Sequence, residues 1–147
     1  TTTSPTYDDI MIIKYNKDNV VEWAERIGGL KDDNINTIIG TKDGGVLVGG
    51  ECTWGFRIGS YSLTSGGILI KYNSDGQLEW AKNVGITVYS VAETQNGDYI
   101  VVGRYSETLT LGEYTLEGNS YTINGMIVRY NSDGERRSCA KLLPCGN

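Results

Sequence analysis

The sequence predicts an all-β protein built from a repeated unit of four strands. The first reason is composition: the 147 residues include 20 Gly, 10 Tyr and only 2 Pro, with many Val, Ile and Thr, which favours strands joined by tight turns. The second is a set of Asp-Gly and Asn-Gly pairs, which supply the positive φ angles of tight reversals. The third is a hairpin motif that occurs three times and sets the organisation of the chain.

This hairpin motif reads KYNKDNVVEW at residues 14–23, KYNSDGQLEW at 71–80 and RYNSDGERRS at 129–138. The copies begin 57 and 58 positions apart, a period that suits one supersecondary unit per repeat. The similarity also covers residues 36–53 and 87–106, which align around the turns Asp43-Gly44 and Asn96-Gly97. The chain therefore contains the second half of one unit, followed by two complete units.

Each complete unit predicts four strands. In the first unit they lie at residues 36–42, 46–52, 68–72 and 77–83, and the leading hairpin adds strands at 10–15 and 20–26. Alternation within 68–72 puts Ile68, Ile70 and Tyr72 on one face and Leu69 and Lys71 on the other. The run VVEWAERIGG also fits a short helix, but its repeat mates are bounded by turn residues, which favours a strand.

A four-stranded unit of this period suggests a β-propeller blade, because such a sheet must bury its faces against neighbours. The pattern of DGG, YIVVG and ILIKYNSDGQLEWAK resembles the bacterial surface-protein β-propeller repeat and, more loosely, the pyrroloquinoline-quinone-type propeller repeat. The resemblance covers residues 10–141. It implies that the first strand of a unit (37–41) lies innermost and the last (78–82) outermost. Such repeats indicate fold far more than function.

The predicted domain organisation follows the repeat. Residues 1–9 form an N-terminal tail, and 10–147 form the propeller-type domain, with a half blade at 10–28, blades at 35–85 and 86–141, and a C-terminal tail at 142–147. These two and a half antiparallel blades contain ten strands, short of the roughly four to eight blades that close a propeller. Strand edges and apolar faces are therefore expected to be exposed. Either the residues belong to a longer propeller or neighbouring chains complete the packing, and we expect the second.

The third copy of the hairpin departs from the other two. Ser138 stands where they have Trp, Cys139 replaces Ala, and Arg136-Arg137 replace a Leu-Glu pair. A large aromatic side chain contributes up to several kcal/mol of burial at about 25 cal/mol per Å². The last strand is therefore expected to have less to pack against, as in the atypical terminal units of other repeat proteins.

Three cysteines form an odd set. Cys139 and Cys145 are separated by AKLLP and are candidates for a disulfide that closes a small loop. Cys52 aligns with Tyr105 in the second strand of a unit, where a buried free thiol is the expected state. An odd number of cysteines also allows a bridge between chains.

Composition and motifs argue against several classes of function. A net charge of −5 without a basic cluster argues against nucleic-acid binding, and no apolar run approaches the ~20 residues of a membrane helix. The sequence has 0 His, which removes Ser-His-Asp and Cys-His nucleophile pairs and imidazole metal sites. The acidic turns lack the alternating carboxylates of a calcium loop. We predict no enzyme activity, cofactor, metal or catalytic residue.

Aromatic side chains in the long loops give an alternative function, which is binding of sugar rings. Trp23 and Trp80 occupy equivalent positions and are expected in the core. The candidate ligand-binding residues are Trp54, Arg57, Tyr61, Glu113, Tyr114 and Tyr121. Tyr61 and Tyr114 are themselves equivalent, so a structural role at the end of the blade is the competing interpretation.

Two functions remain open from the sequence. The first is a non-catalytic structural or adhesive module, extracellular or on a bacterial cell surface, that self-assembles into a homo-oligomer or fibre. In that case we expect head-to-tail contacts in which residues 10–26 dock on another subunit. The second is a carbohydrate-binding, lectin-like module with glycans as partners. The chain begins TTTSPTYDD without Met, so we expect that an upstream segment was removed or omitted.

Overall fold

The computed structural model describes residues 10–28, 33–119, 121 and 123–142, and within them it confirms the all-β prediction. The strands are β1 (Ile10–Tyr15), β2 (Val21–Ile27), β3 (Asp33–Gly40), β4 (Val46–Cys52), β5 (Arg57–Ile58), β6 (Tyr61–Ser62), β7 (Gly66–Tyr72), β8 (Leu78–Asn83), β9 (Thr87–Glu93), β10 (Tyr99–Tyr105), β11 (Leu109–Leu111), β12 (Tyr114–Leu116), β13 (Asn124–Tyr130) and β14 (Arg136–Leu142). These residues include no helix with the length and apolar character of a membrane span.

Two four-stranded antiparallel sheets form the body of the protein. The first sheet has the order β3-β4-β7-β8, and the second has the equivalent order β9-β10-β13-β14. Strands β1 and β2 form a separate antiparallel pair, called here the leading hairpin. Within the run VVEWAERIGG, Val21–Ile27 is thus a strand, as its repeat mates indicate. The repeat read from the sequence accordingly appears as two sheets of the same topology.

The structure adds two short hairpins where the sequence analysis expected only long loops. Strands β5 and β6 pair between β4 and β7, and β11 and β12 pair at the equivalent place in the second sheet. The reversals contain Gly59 and Gly112, with φ of 56° and 59°, an angle that favours glycine. These strands are only two or three residues long, too short for alternation to predict them.

The three repeated turns share one construction. The side-chain oxygens of Asn16, Asn73 and Asn131 each accept a backbone N–H from the residue four positions later, at 2.9, 2.9 and 2.6 Å. The fourth turn residue has positive φ in every copy: it is glycine in the last two turns (79° and 74°) and Asn19 (59°) in the first. The same turn chemistry therefore closes all three hairpins.

Packing confirms the predicted alternation in β7. Ile68, Ile70 and Tyr72 belong to the hydrophobic cluster that contains Ile12 and Ile27 of the leading hairpin. The opposite face of the first sheet, with Leu47 and Leu69, belongs to the cluster formed with the second sheet. The first sheet is therefore covered on both faces, by the leading hairpin on one side and by the second sheet on the other.

Candidate assembly interface

The junction between the leading hairpin and the first sheet contains a specific tryptophan contact. The indole N–H of Trp23 donates a hydrogen bond to the carbonyl oxygen of Ser74, at 3.1 Å. The ring lies flat against Gly76, so closely that a Cβ there would come within 2.7 Å of the ring. The turn of one unit thus receives the Trp of the unit before it, and glycine makes room for the ring.

The same contact recurs between the two sheets. Trp80 donates to the carbonyl oxygen of Ser132, at 2.9 Å, and a Cβ on Gly134 would lie 3.0 Å from its ring. The Lys82 ammonium adds a hydrogen bond to the Gly134 carbonyl oxygen and lies 5.8 Å from the centre of the Trp80 ring. We call this arrangement, Trp on a turn glycine, the Trp contact. It joins consecutive units at both internal junctions.

A buried cation lies beside the second Trp contact. The Lys71 side chain is 1% exposed, and its ammonium reaches Asp43 at 2.8 Å and Glu79 at 2.9 Å. Partial burial raises the pKa of Asp43, but hydrogen bonds from Lys71, Thr41 and Gly45 outweigh it and lower that pKa to about 2. Because an unpaired buried ammonium is strongly unfavourable, this pair of carboxylates makes the burial of Lys71 tolerable.

The outward face of the second sheet, called here the tail face, consists of the residues that align with this covered face of the first sheet. In register across the strands, Ile100, Arg129 and Ser138 form one row, and Val102, Ile127 and Ala140 form the next. The equivalent rows of the first sheet are Leu47, Lys71 and Trp80, then Gly49, Leu69 and Lys82. Leu47 and Leu69 are 0% exposed, whereas Ile100 and Ile127 are only half-buried. Among the residues that the structure describes, nothing covers the tail face where its counterpart is buried.

The outward face of the leading hairpin, called here the head face, is apolar and exposed. Met11, Ile13, Tyr15 and Val21 lie on the side away from the first sheet, in register across β1 and β2 with Ala24 and Arg26. Met11, Tyr15 and Val21 are all more than half exposed. Their equivalents in the first sheet are Ile68, Tyr72 and Leu78, which pack against the leading hairpin. Within the part of the chain that the structure describes, no neighbouring element covers the core-type side chains of Met11, Tyr15 and Val21 on this face.

Strand β1 also has an open edge in the described part of the chain. Its equivalent, β7, pairs with β8 on one side and β4 on the other, whereas β1 pairs with β2. The open edge of β1 also leaves a residue of the first sheet exposed. Ile38 is 50% exposed, but its repeat equivalent Val91 is 5% exposed and packs beside Gly49. The difference arises because Val91 has a strand of the preceding unit beside it.

The predicted sugar-binding residues are placed in different environments. Trp54, Tyr114 and Tyr121 are exposed, as are the charged Arg57 and Glu113. Tyr61 is different, because it packs against the core and its hydroxyl donates to the Glu79 carbonyl oxygen at 2.8 Å. Arg57 lines a cleft of about 670 Å³ between the leading hairpin and the first sheet. The exposed Trp54 lies three positions before Arg57 in the sequence. Tyr61 thus has the structural role, and its equivalent Tyr114 is exposed.

The described cysteines and acidic residues include one buried thiol and no cluster of metal-ligating side chains. Cys52 is buried, as expected, and its thiol donates to the Thr64 carbonyl oxygen. Burial, reinforced by the charge of Asp33, raises the pKa of the Cys52 thiol, which lowers its reactivity. Cys145 lies outside the described residues, so its disulfide with Cys139 stays a prediction. Among residues 10–28, 33–119, 121 and 123–142, no three metal-ligating side chains cluster.

Sequence reasoning missed the individual residues of the head and tail faces, although their repeat equivalence was visible in the sequence. Tail residues such as Ile127 are equivalent to buried residues such as Leu69, and only the arrangement of the units shows that nothing in the described chain covers them. A scan against protein-family models finds no matching family, and a search of curated proteins finds no significant match.

Proposed function

We propose that this chain is a non-catalytic structural or adhesive module that self-assembles through its head and tail faces into an oligomer or fibre. Its two sheets then act as propeller-type blades, with β3 and β9 innermost and β8 and β14 outermost. The proposal is supported by the shared strand order of the sheets and by the packing of β3 and β4 against β9. The resemblance to bacterial surface-protein repeats supports a location outside the cell or on its surface.

The single observation behind the proposal is that one surface is buried in the first sheet and uncovered in the second. Burying a Leu or Ile side chain is worth about 1.5–3 kcal/mol, so leaving the half-buried Ile100, Val102 and Ile127 without a neighbour forgoes a sizeable stabilisation. The head face has the same deficit at the other end of the molecule. A partner that covers both faces recovers this stabilisation.

The two uncovered faces are different surfaces on opposite sides of one chain, which decides the kind of assembly. A contact between the tail face of one copy and the head face of the next leaves one free head face and one free tail face, so further copies can be added in the same way. Such head-to-tail contacts produce a ring when the rotation closes and a filament when it does not. The orphan hairpins of two copies, by contrast, are the same half unit and do not combine into a normal blade.

Light scattering after size-exclusion chromatography tests the proposal with a matched pair of variants. Met11 on the head face and Trp54 in the loop between β4 and β5 of the first sheet are 67% and 60% exposed, so replacing either by Glu removes a large exposed hydrophobic side chain. Met11→Glu is expected to lower the average mass at micromolar concentration. Trp54→Glu is expected to leave the mass unchanged.

Two results would contradict self-assembly through the head and tail faces. One is a folded wild-type chain that stays monomeric at micromolar concentration. The other is an assembly that survives unchanged when residues 1–28, including the entire head face, are deleted. Circular dichroism of each variant shows whether the β structure is retained, which separates loss of assembly from loss of folding.

A carbohydrate-binding function is the second candidate, favoured by the exposed Trp54 and by a 670 Å³ cleft that its sequence neighbour Gly55 lines together with Arg57. Aromatic faces next to polar groups suit stacking on sugar rings. Trp54→Ala is expected to abolish signal on a glycan array while leaving the melting temperature nearly unchanged. Tyr121→Ala, at an exposed position elsewhere, is the control, and a large melting loss in Trp54→Ala would identify Trp54 as a structural residue instead.

A further inference from the structure

We propose that the tail face of one copy docks on the head face of a second copy through a junction that replaces the Trp contact by an ion pair between Arg137 and Asp18. This inference rests on the proposed self-assembly and specifies its contact. It follows from three differences between the head and tail faces and the internal junctions. Each difference would disrupt a junction within one chain, but it suits a junction between the tail face of one copy and the head face of another.

The first difference removes both halves of the Trp contact. Ser138 stands at the Trp position of the second sheet, so the tail has no ring to donate. Asn19 stands at the turn position of Gly76 and Gly134, where a Cβ would come within about 3 Å of the incoming ring. The head turn therefore excludes a Trp. A tail without the ring and a head without the glycine fit each other, because the small Ser138 leaves space for the Asn19 side chain.

The second difference concerns the space that a neighbouring strand occupies. At the internal junction Gly49 faces the next sheet, and a Cβ there would lie 2.7 Å from Val88 on β9. The equivalent residue on the tail face is Val102, whose larger side chain would collide with a strand placed like β9. In the described residues, the leading hairpin brings no strand equivalent to β9. When the head of a second copy docks on the tail face, the Val102 side chain therefore occupies the space that β9 takes at the internal junction, and no strand collides with it.

The third difference is a reversal of charge. At the internal junction Asp43 and Glu79 of the first sheet line a cleft together with Asp133 of the next turn. On the tail the equivalent residues are Asn96 and Arg137, so the two acids become an amide and a cation. The head turn keeps its acid as Asp18.

Carried over by the repeat, this geometry brings Arg137 of one copy opposite Asp18 of the next. Both side chains are exposed, and within the described chain neither forms a salt bridge. Lys17 is the other charged residue of the head turn, but it occupies the position of Ser74 and Ser132, whose main-chain carbonyl meets the neighbouring unit. Asp18 is therefore the side chain placed to pair with the guanidinium, and the junction should weaken in salt.

A charge-reversal cycle tests the ion pair. Sedimentation velocity measures the dissociation constant of wild type, Arg137→Asp, Asp18→Arg and the double variant, at low and high salt. Each single variant is expected to weaken association by about fivefold or more at low salt, and the double variant is expected to restore it. Lys141→Asp is the control, since it makes the same charge change on the same strand, in register with the inward-facing Met126.

A gain-of-function pair tests the geometry independently. Ser138→Trp with Asn19→Gly installs both halves of the Trp contact and is expected to tighten association by about tenfold or more. Ser138→Trp alone is expected to weaken association, because the Asn19 side chain occupies the site of the ring. Unchanged melting of the dissociated chains confirms that each variant folds.

The outcomes separate this junction from the broader proposal. A monomeric wild-type chain would overturn self-assembly and the junction together. An assembly that is sensitive to Met11→Glu but tolerates both single charge reversals would overturn the junction alone. Tightening by Ser138→Trp without Asn19→Gly would also overturn it, since that result places the tail strand away from Asn19.

Discussion

The first and second sheets share strand order and register but differ in their surroundings. Leu69 is 0% exposed between the two sheets, while its equivalent Ile127 is half-buried on the tail face. Both are β-branched or aliphatic residues at the same position of the same strand, flanked by nearly the same sequence. The comparison shows that the repeat specifies a unit with two apolar faces, and that the neighbouring units determine which of those faces is buried.

The cations at this position show the same difference. Lys71 is enclosed and held by two carboxylates, whereas Arg129 keeps 41% of its side chain exposed and pairs with Asp98 at 2.6 Å. A lysine ammonium is a compact charge that requires full pairing when buried, and a guanidinium tolerates partial exposure and planar contacts. Arg129 of the second sheet thus suits a surface that is exposed in the single chain and covered when a partner binds.

Among changes that test the difference between the two sheets, removal of the Trp contact between them is expected to have the largest effect on the free energy of unfolding. Trp80 is 8% exposed, so Trp80→Ala is expected to lower the free energy of unfolding by about 3–5 kcal/mol. Trp23→Ala is expected to cost clearly less, because Trp23 is only half-buried. Urea unfolding followed by circular dichroism measures both. Equal losses would show that the two junctions are energetically alike.

The next largest effect on stability is expected from shortening the side chains of the equivalent residues Leu69 on β7 and Ile127 on β13. Leu69→Ala is expected to destabilise the dissociated chain by about 2–4 kcal/mol, and Ile127→Ala by about 1 kcal/mol, since its site is already partly hydrated. Both are measured by urea unfolding at a concentration where wild type is dissociated. At higher concentration the Ile127→Ala deficit should grow if the tail face is covered by a partner, and a constant deficit would contradict that coverage.

The smallest effect is a pH dependence confined to the first sheet. The pKa of Asp43 falls from 3.8 to about 2 on folding, so its contribution is fully present above pH 3.8 and is lost as the pH falls toward 2. The side chain is 52% exposed, which limits this contribution to roughly 1 kcal/mol or less.

Asp43→Asn is expected to remove that acid-dependent component from urea unfolding curves recorded between neutral pH and pH 2. The second sheet offers a natural comparison, because Asn96 already occupies the equivalent position. The reciprocal change Asn96→Asp should leave the acid dependence nearly unaltered, since Arg129 is already paired with Asp98. A large acid dependence that persists in Asp43→Asn would assign it to other carboxylates.

Much of the fold could be predicted from the sequence because its signals are local. The Asn-rich turns satisfy their own backbone N–H groups, and the alternation in β7 separates Ile70 from Leu69 whatever lies nearby. The repeat mates predict a strand at residues 20–26, and the structure has it at Val21–Ile27. The sequence also identified Ser138 as the departure in the third hairpin.

What the tertiary structure decided is which of these equivalent residues have neighbours. The Tyr61 hydroxyl donates a hydrogen bond to the Glu79 carbonyl oxygen on β8 while its equivalent Tyr114 stays exposed, and Val91 is covered where Ile38 is not. The two short hairpins likewise depend on contacts beyond their own few residues. A residue's sequence position fixes the direction of its side chain, because strand geometry is periodic. Burial depends on what lies across the interface, and that is a property of how the units stack.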